Sequence, residues 1–459
     1  MTNEKSREGR PVFRTDEAKI QKWIDNGKGA LLIYGARQVG KTWLIREMLK
    51  RNQIQYLEIN LLEREDIRTQ MLSIHDVRDL SGHLALYADQ PLETGKSVIF
   101  LDEIQCYPEI VTVIKFLVDE GRYRYILSGS NLGVELKGIR SMPVGYVEQW
   151  QMYPMTLAEF SIAMGARKDI PEYLETCFRQ KEAVDPVIHT QMIRSFYYYL
   201  MTGGMPAVVK TLIEKQNMAA IDAEQKGIIN QYKADFIKYE AENRRLKIIS
   251  VYDTIPSQLN KQNRRFTFTY LNKELKFDRY EESFLWLKDA AVAIPVYNAH
   301  EARCPLEQSK ASNLFKLYQS DVGLLTSCYP PGLRQEIMQM NPEQIINFGS
   351  LFENFVACEL TAAGYDLFFY KTQKIGEIDF LIELDDSVIP IEVKSGKDYR
   401  KHKSLDLLMA READRIKEAV VLSTNNLEQS GPILYCPVYL TSFLRAEKVP
   451  EEKIDIHLF

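Results

Sequence analysis

The chain has 459 residues, 45% of them hydrophobic and 26% charged, and 63 acidic against 58 basic residues give a net charge of −5. This length predicts about two to four domains, each with enough apolar material for a core, and excludes a single small module. The polar first residues and the lack of long apolar runs predict neither secretion nor membrane insertion, and six cysteines without a CxxC pair predict reduced thiols in the cytoplasm rather than zinc ligands or disulfides.

The first half of the chain is predicted to contain a parallel α/β sheet followed by helices. Residues 1–155 alternate short β-rich apolar runs with helical stretches. The predicted strands are Ala30–Tyr34, Gln55–Ile59, Ser97–Leu101 and Tyr123–Leu127. Residues 156–239 lack this alternation and predict a helical connector, which is interrupted by a turn at Thr202–Pro206.

The second half is predicted to contain two further domains. Residues 240–340 combine short helices with a strand pair, Ala291–Tyr297 and Asn313–Tyr318, and predict a small α+β domain. Residues 341–459 return to alternating elements and predict a second α/β unit. Its predicted elements are a helix over 350–363, strands over 377–383 and 388–394, a helix over 401–417 and a strand over 419–422.

The segment after the first predicted strand matches the phosphate-binding pattern GxxxxGK[ST]. It consists of Gly35, Ala36, Arg37, Gln38, Val39, Gly40, Lys41 and Thr42. In this pattern, converging backbone N–H groups and a helix N-terminus bind the phosphates of ATP. Lys41 is then expected to contact the β- and γ-phosphates, and Thr42 is expected to bind Mg²⁺. The alternative is a tight glycine turn that binds no ligand.

Two further strands end in polar residues that are expected to lie beside this segment. Val98–Leu101 is followed by Asp102 and Glu103, at the strand end where a parallel sheet binds its ligand. We expect Asp102 to position Mg²⁺ and Glu103 to activate the attacking water. The next strand is followed by Ser128 and Ser130, and Ser130 is expected to sense the γ-phosphate. The alternative for these serines is an ordinary strand-ending turn.

The C-terminal unit contains a second candidate site on a predicted hairpin with a turn at Asp385–Asp386. A two-residue turn places Asp379 opposite Glu392, with Cβ atoms about 4.5–5.5 Å apart, and Lys394 on the same face. Two carboxylates and a lysine in this arrangement favour a metal ion at Asp379 and Glu392 and metal-assisted phosphodiester hydrolysis. A bulge at Pro390 would shift this register. The alternative is a hairpin whose charged face is simply solvated.

Two basic segments suggest contact with nucleic acid, although the whole chain is acidic. Residues 241–275 contain seven basic and three acidic residues, with Arg264 and Arg265 among aromatic side chains. Residues 394–403 contain five basic residues and one acidic residue. Clustered basic residues bind phosphates, but such runs are also common on solvated surfaces.

Several of these motifs carry a family resemblance. GARQVGKT, VIFLDEIQ, LSGSN, MYPMTLAEF and YLMTGGMPAVV resemble prokaryotic AAA-type ATPases fused to a C-terminal domain of unknown function that is similar to PD-(D/E)xK nucleases. The resemblance implies an AAA-type P-loop domain over 1–155, a winged-helix-like domain over 240–340 and a nuclease-like domain over 341–459. It also implies that Glu353 joins the second site as a catalytic acid.

One position departs from the family pattern. Many members place an arginine, a candidate arginine finger, after the glycine in the segment before the YP pair, whereas Tyr146 follows Gly145 here. Arg140 lies six residues before Tyr146 and is the candidate substitute.

Two hypotheses for function follow. In the first, the protein is a Mg-dependent ATP hydrolase that uses ATP as a conformational switch for DNA binding or cleavage by its C-terminal half, with Glu353, Asp379, Glu392 and Lys394 as the cleavage residues. In the second, it is a signalling or scaffold ATPase whose degenerate nuclease-like domain binds protein partners. A second copy of the chain is a further expected partner.

Overall fold

The computed structural model describes residues 13–73, 77–130, 145–239, 242–261, 266, 280–339 and 348–445. These residues form two β-sheets, one in each half of the chain, together with the helices that precede, separate and follow their strands. None of the helices in these ranges is both long and apolar enough to cross a membrane.

The first sheet has five parallel strands in the order β2-β3-β4-β1-β5. Its strands are β1 (Ala30–Tyr34), β2 (Tyr56–Asn60), β3 (Val98–Asp102), β4 (Arg124–Gly129) and β5 (Val147–Gln151). The helices around it are Glu17–Asn26, Lys41–Arg51, Glu65–Ser73, Val77–Ala85 and Ile110–Glu120. The four predicted strands are confirmed to within two residues. The edge strand β5 was not predicted, because its sequence VEQWQ is mostly polar and partly exposed.

Five helices form the connector, as the sequence predicts. They are Leu157–Ala163, Ile170–Gln180, Pro186–Thr202, Pro206–Lys215 and Met218–Tyr239, the last of which we call the connector helix. The turn between the third and fourth helices requires glycine: Gly203 has a φ of +73°, and a Cβ on Gly204 would lie 2.0 Å from the carbonyl oxygen of Met155.

The second sheet has eight strands in the order β12-β13-β11-β10-β9-β8-β6-β7, with parallel and antiparallel pairs. Its strands are β6 (Ala293–Ala299), β7 (Lys310–Gln319), β8 (Phe368–Thr372), β9 (Gly376–Leu384), β10 (Ser387–Val393), β11 (Ala419–Ser423), β12 (Glu428–Ser430) and β13 (Ile433–Pro437). The helices of this half are Glu242–Leu259, Glu281–Asp289, Val322–Ser327, Pro331–Met338, Phe348–Ala362 and Lys403–Arg411.

The structure differs from the sequence-based division of this half. The strand pair expected inside a separate 240–340 domain is present as β6 and β7, but Tyr297 of β6 pairs with Phe368 of β8. One sheet therefore crosses the expected border between 340 and 341. The helix expected over 401–417 is shorter and ends at Arg411. The winged-helix interpretation stays a prediction, because residues 262–265 and 267–279 lie outside the described residues.

The two faces of the first sheet belong to different hydrophobic clusters. Alternate side chains of a strand point to opposite faces. Ala30 and Leu32 belong to a cluster drawn from residues 30–127, whereas Leu31 and Ile33 belong to a larger cluster that continues through the connector into the second sheet. The P-loop half and the C-terminal half therefore share one continuous core.

Candidate nucleotide-binding site and carboxylate cluster

The P-loop follows β1 directly and requires glycine where the chain turns most sharply. Gly35 and Gly40 have φ angles of +148° and +99°, and a Cβ on Gly35 would lie 2.2 Å from the carbonyl oxygen of Met152. Gln38 has a φ of +66°. The helix Lys41–Arg51 begins at the end of this loop, so its free N–H groups and positive dipole end face the loop.

Lys41 places a buried ammonium group inside the P-loop. Its Nζ atom donates hydrogen bonds to the carbonyl oxygens of Gly35 at 3.0 Å and Ala36 at 2.9 Å. Burial lowers the pKa of Lys41 to about 8, against the opposing effect of Glu103 and Asp102. Lys41 forms no ion pair in the part of the chain that the structure describes. A buried cation paired only with neutral groups is well suited to bind an anion.

Asp102 ends β3 beside the start of the P-loop helix. The Thr42 hydroxyl donates to Asp102 Oδ2 at 2.8 Å, and the Ser128 hydroxyl donates to Asp102 Oδ1. Hydroxyl and carboxylate oxygens are ligands that Mg²⁺ prefers, so these side chains fit a magnesium ion bound with ATP. Thr42 and Asp102 would hold the ion, and it would neutralise phosphate charge.

Glu103 is held by a residue that sequence reasoning missed. Its backbone has a φ of +57°, and its N–H donates to Asp102 Oδ1 at 3.0 Å. Gln105 Nε2 donates to Glu103 Oε2 and, at 3.1 Å, to the Ser130 hydroxyl, which itself lies 3.4 Å from Glu103 Oε2. The structure thus brings together the predicted base and the predicted γ-phosphate sensor through Gln105. The only sequence feature that could have indicated Gln105 is its position two residues after Glu103.

The P-loop also contacts the connector helix, which the sequence did not indicate. Arg37 Nη1 lies 2.5 Å from Asp235 Oδ1, and Gln38 Nε2 donates to Gln231 Oε1. The Tyr232 hydroxyl donates to the carbonyl oxygen of Arg37 at 3.2 Å. Asp235 is buried. Partners nearly two hundred residues apart leave no local pattern, which explains the omission.

A buried arginine near the N-terminus supports the P-loop from the other side. Arg14 Nη1 donates to the carbonyl oxygen of Val39 at 3.2 Å, and Nη2 donates to that of Tyr153 at 2.7 Å. Its Nε atom lies 3.5 Å from Glu159 Oε1. Arg14 therefore ties the P-loop to the first residues of the connector.

Tyr146, at the expected arginine-finger position, lies away from the P-loop. Its carbonyl oxygen accepts a hydrogen bond from the N–H of Ala30 at 2.8 Å. Ala30 begins β1, whereas the P-loop follows the opposite end of that strand. Arg140, the candidate substitute, lies outside the described residues.

The C-terminal hairpin has the register that the sequence predicts. Asp385 and Asp386 form its turn with φ angles of +48° and +59°, and strand pairing continues from this turn without a bulge. Pro390 pairs with Leu381, so the proline does not shift the register. Two successive left-handed residues are typical of the tight turn that favours Asp and Asn.

This register brings Asp379 and Glu392 close together. The N–H of Val393 donates to Asp379 Oδ2 at 2.9 Å, and Lys394 Nζ donates to Glu392 Oε1 at 2.7 Å. Glu392 is buried, and its Oε2 atom has no hydrogen-bond partner among the described residues. Burial, with Asp379 nearby, raises the pKa of Glu392 to about 7.

A lysine from β7 lies among the other acidic residues of this region. Lys316 is fully buried, and its Nζ atom lies 2.8 Å from Glu377 Oε1, 3.6 Å from Glu353 Oε2 and 3.8 Å from Asp379 Oδ1. Glu353 Oε2 also accepts a hydrogen bond from the Tyr318 hydroxyl at 2.8 Å. No local pattern indicates a role for Lys316, because β7 lies in the segment that the sequence predicts to be a separate domain.

The pKa shifts in this carboxylate cluster follow from its ion pairs. Burial acts to lower the pKa of Lys316, but Tyr318, Glu377 and Asp379 outweigh it and raise the pKa above its usual range. Burial acts to raise the pKa of Glu377, but Lys316 and Lys371 hold it at about 2. Both groups are therefore charged at neutral pH.

The metal role predicted for Asp379 and Glu392 does not fit this arrangement. One oxygen each of Asp379 and Glu353 lies within 4 Å of the ammonium group of Lys316, which already supplies a positive charge there. Within the ranges that the structure describes, no group of three or more His, Cys, Asp or Glu residues could hold a metal ion. We therefore derive no step that depends on a metal at this site.

The basic segment that follows the hairpin is largely neutralised by its neighbours. Lys394 pairs with Glu392, Arg400 with Glu428, and Lys401 with Asp398. Such pairing weakens the attraction to phosphates that the run of charges suggests. Arg264 and Arg265 of the other basic segment lie outside the described residues.

Family models match three parts of the chain. Residues 27–161 match the model of an AAA domain. Residues 193–333 and 348–439 match two domains of unknown function, DUF8612 and DUF4143. No curated protein matches this sequence.

Several solved structures are distantly similar. A Walker-type ATPase of Pyrococcus abyssi has 15% identity and a TM-score of 0.43, and the match covers 71% of this chain and 97% of that one. AMPPCP-bound DnaA of Aquifex aeolicus has 10% identity and a TM-score of 0.30, over 61% of this chain and 90% of that one. The RuvB Holliday junction branch migration motor of Thermotoga maritima has 12% identity and a TM-score of 0.29, over 64% and 91%. The family model, the parallel sheet and the P-loop together identify residues 27–161 as an AAA-type P-loop domain.

Proposed function

We propose that the protein binds and hydrolyses Mg·ATP at its P-loop and uses this cycle as a conformational switch for its C-terminal half. The observation that carries the proposal is the direct contact between the P-loop and the connector helix, through Arg37 and Asp235. A loop that binds phosphates must adjust around them, and these contacts then change with it.

Each step of hydrolysis is assigned to a residue of the described site. The backbone N–H groups of the P-loop and Lys41 bind the phosphates, while Thr42 and Asp102 hold the magnesium ion. Ser130 contacts the γ-phosphate. Glu103 accepts a proton from the attacking water once its carboxylate leaves Gln105 and Ser130.

The route to the C-terminal half is short. The connector helix ends at Tyr239, and the next helix, Glu242–Leu259, packs against β7 of the second sheet. Asp235 is buried on the connector helix, so a change in its pairing with Arg37 alters how the helix packs against the P-loop. A displaced connector helix then moves the elements that follow it.

A double-mutant cycle tests this coupling. We expect Arg37→Ala and Asp235→Ala each to change ATP affinity, and the double variant to differ from the sum of the two by about 0.5–3 kcal/mol. The matched control is the pair Arg46 and Glu58, which links the P-loop helix to β2 without reaching the connector. Additive effects at Arg37 and Asp235, measured by equilibrium ATP titration, would contradict the coupling.

The target of the switch is either DNA or a protein, and one experiment separates them. A DNA target predicts salt-dependent retardation of duplex or branched DNA that weakens in Arg264→Ala with Arg265→Ala. A protein target predicts no retardation even at low salt. The ion pairs of Lys394, Arg400 and Lys401 favour the protein target for that surface.

Two further parts of the proposal concern the cellular compartment and a second copy of the chain. The six cysteines are free thiols, which supports a reducing compartment, and we place the protein in the cytoplasm.

Tyr146 lies away from the P-loop of its own chain, so we propose that a second copy supplies an arginine in trans, with Arg140 as the candidate. Arg140→Ala is then expected to lower turnover without lowering ATP affinity.

A further inference from the structure

The carboxylate cluster of the second sheet contains its own internal cation. Lys316 has no exposed surface, and three carboxylates lie within 4 Å of its Nζ atom: 2.8 Å for Glu377, 3.6 Å for Glu353 and 3.8 Å for Asp379. Buried lysines are rare unless they are paired, because removing a charge from water is costly. The three contacts explain why this lysine is stable inside the protein.

The geometry of the sheet shows how unusual this contact is. Lys316 lies on β7, whereas Glu377 and Asp379 lie on β9, and β6 and β8 stand between the two strands. Neighbouring strands are about 4.8 Å apart, so three spacings exceed the reach of the two side chains in a flat sheet. The helix Phe348–Ala362 adds Glu353 to this cluster.

The charges of the cluster nearly balance without a metal ion. Among the residues that the structure describes, ion pairs join three lysines to four carboxylates: Lys316, Lys371 and Lys394, with Glu353, Glu377, Asp379 and Glu392. A divalent cation at Asp379 would lie beside the ammonium group of Lys316 and be repelled by it.

We propose that the ammonium group of Lys316 takes the place of a metal ion, so that this cluster joins β7, β9 and the helix Phe348–Ala362 and binds no divalent cation. The inference is independent of the ATP-dependent switch. It implies that metal-dependent cleavage at Asp379 has no ion bound there. Lys316 is a positioning residue, because it fixes Glu353 and Asp379.

Manganese titration of the nucleotide-free full chain tests the inference. Every variant carries Asp102→Asn, which removes the metal ligand of the P-loop. The parent is the chain that carries only Asp102→Asn. We expect it to bind no Mn²⁺ up to about 1 mM, the concentration range of weak divalent sites, as measured by the EPR signal of free Mn²⁺. Lys316→Met, which removes the charge and keeps an unbranched side chain, is expected to gain one bound Mn²⁺ per chain.

Two controls make the outcome specific. Lys310→Met removes another lysine of β7, paired with Glu307, and is expected to gain no Mn²⁺. Adding Asp379→Asn to Lys316→Met is expected to abolish the gained site. If the chain that carries only Asp102→Asn binds Mn²⁺, and Asp379→Asn abolishes that binding, the inference is overturned. This comparison tests the inference even if Lys316→Met does not fold. A folded Lys316→Met that binds no Mn²⁺ would also overturn it.

Discussion

The two halves of the molecule each bury a lysine, and the surroundings of these lysines differ in one decisive respect. Among the residues that the structure describes, the hydrogen bonds of Lys41 Nζ go to two carbonyl oxygens, and burial lowers its pKa to about 8. Lys316 contacts three carboxylates, and its pKa is raised. A buried cation that is hydrogen-bonded to neutral groups is well suited to bind an anion, whereas one held within 4 Å of several carboxylates is part of the structure.

Removing the first lysine is expected to have the largest effect. Lys41→Ala takes away the buried ammonium group of the P-loop, so we expect ATP binding to be abolished in an equilibrium titration. Lys50→Ala is the matched control, because Lys50 is exposed on the same helix. If Lys41→Ala binds ATP as tightly as Lys50→Ala does, Lys41 is not the phosphate-binding lysine, and the proposed difference between Lys41 and Lys316 is wrong.

The predicted base of the nucleotide site gives the next largest effect. Glu103→Gln keeps the size of the side chain but cannot accept the proton of water. We expect turnover to fall by about 10²–10⁴-fold, the range of general base catalysis, with ATP affinity retained. Steady-state phosphate release and an ATP titration measure the two quantities. Undiminished turnover would remove Glu103 from this role.

Glu392, in the carboxylate cluster around Lys316, is expected to make the free energy of unfolding depend on pH. The pKa of Glu392 is raised from 4.5, its ordinary value, to about 7 in the folded chain. Protonation of Glu392 therefore stabilises the folded state fully below pH 4.5. This contribution to the free energy of unfolding is lost as the pH rises through 7. Glu392→Gln is expected to remove this loss, which is on the order of 2 kcal/mol. The free energy of unfolding measured from pH 5 to pH 8 checks this.

The comparison variant for that measurement is Glu428→Gln, at an exposed carboxylate paired with Arg400. It is expected to keep the pH dependence of the parent. The same dependence in Glu392→Gln would show that another group causes it. Glu377 does not interfere, because its pKa is lowered to about 2 and its contribution changes only below pH 4.5.

The smallest expected effect is a proton taken up on ATP binding. Phosphates raise the pKa of Lys41 from about 8, so above pH 8 binding is linked to protonation of the lysine and ATP affinity falls as the pH rises. Calorimetry at pH 8.5 in two buffers with different ionisation enthalpies is expected to show uptake of a fraction of a proton. At pH 7 it is expected to show almost none. Equal heats in both buffers at pH 8.5 would contradict this.

The same contrast explains what the sequence could predict. Lys41 belongs to an eight-residue motif between a buried strand and a helix, so pattern and context identify it together, and the hairpin of Asp379 and Glu392 follows from one turn. Lys316 meets Glu353, Glu377 and Asp379 only because β6 and β7 join the second sheet, and no spacing along the chain indicates this.

Contacts between distant segments were missed for a related reason. Asp235 and Arg14 reach the P-loop from other elements, and each is an ordinary charged residue in its own segment. Gln105 lies close to Glu103 in sequence, but its role depends on Ser130 of the neighbouring strand. Side chains placed by tertiary packing carry no local pattern.

Hydrogen exchange of the connector helix, Met218–Tyr239, is the most direct test of the switch. It compares the nucleotide-free chain with Glu103→Gln saturated with Mg·ATP, so that hydrolysis does not average the states. We expect ATP to change the exchange of this helix around Asp235, and Arg37→Ala to reduce the change. Full occupancy by ATP with unchanged exchange along the connector helix would contradict the proposed coupling.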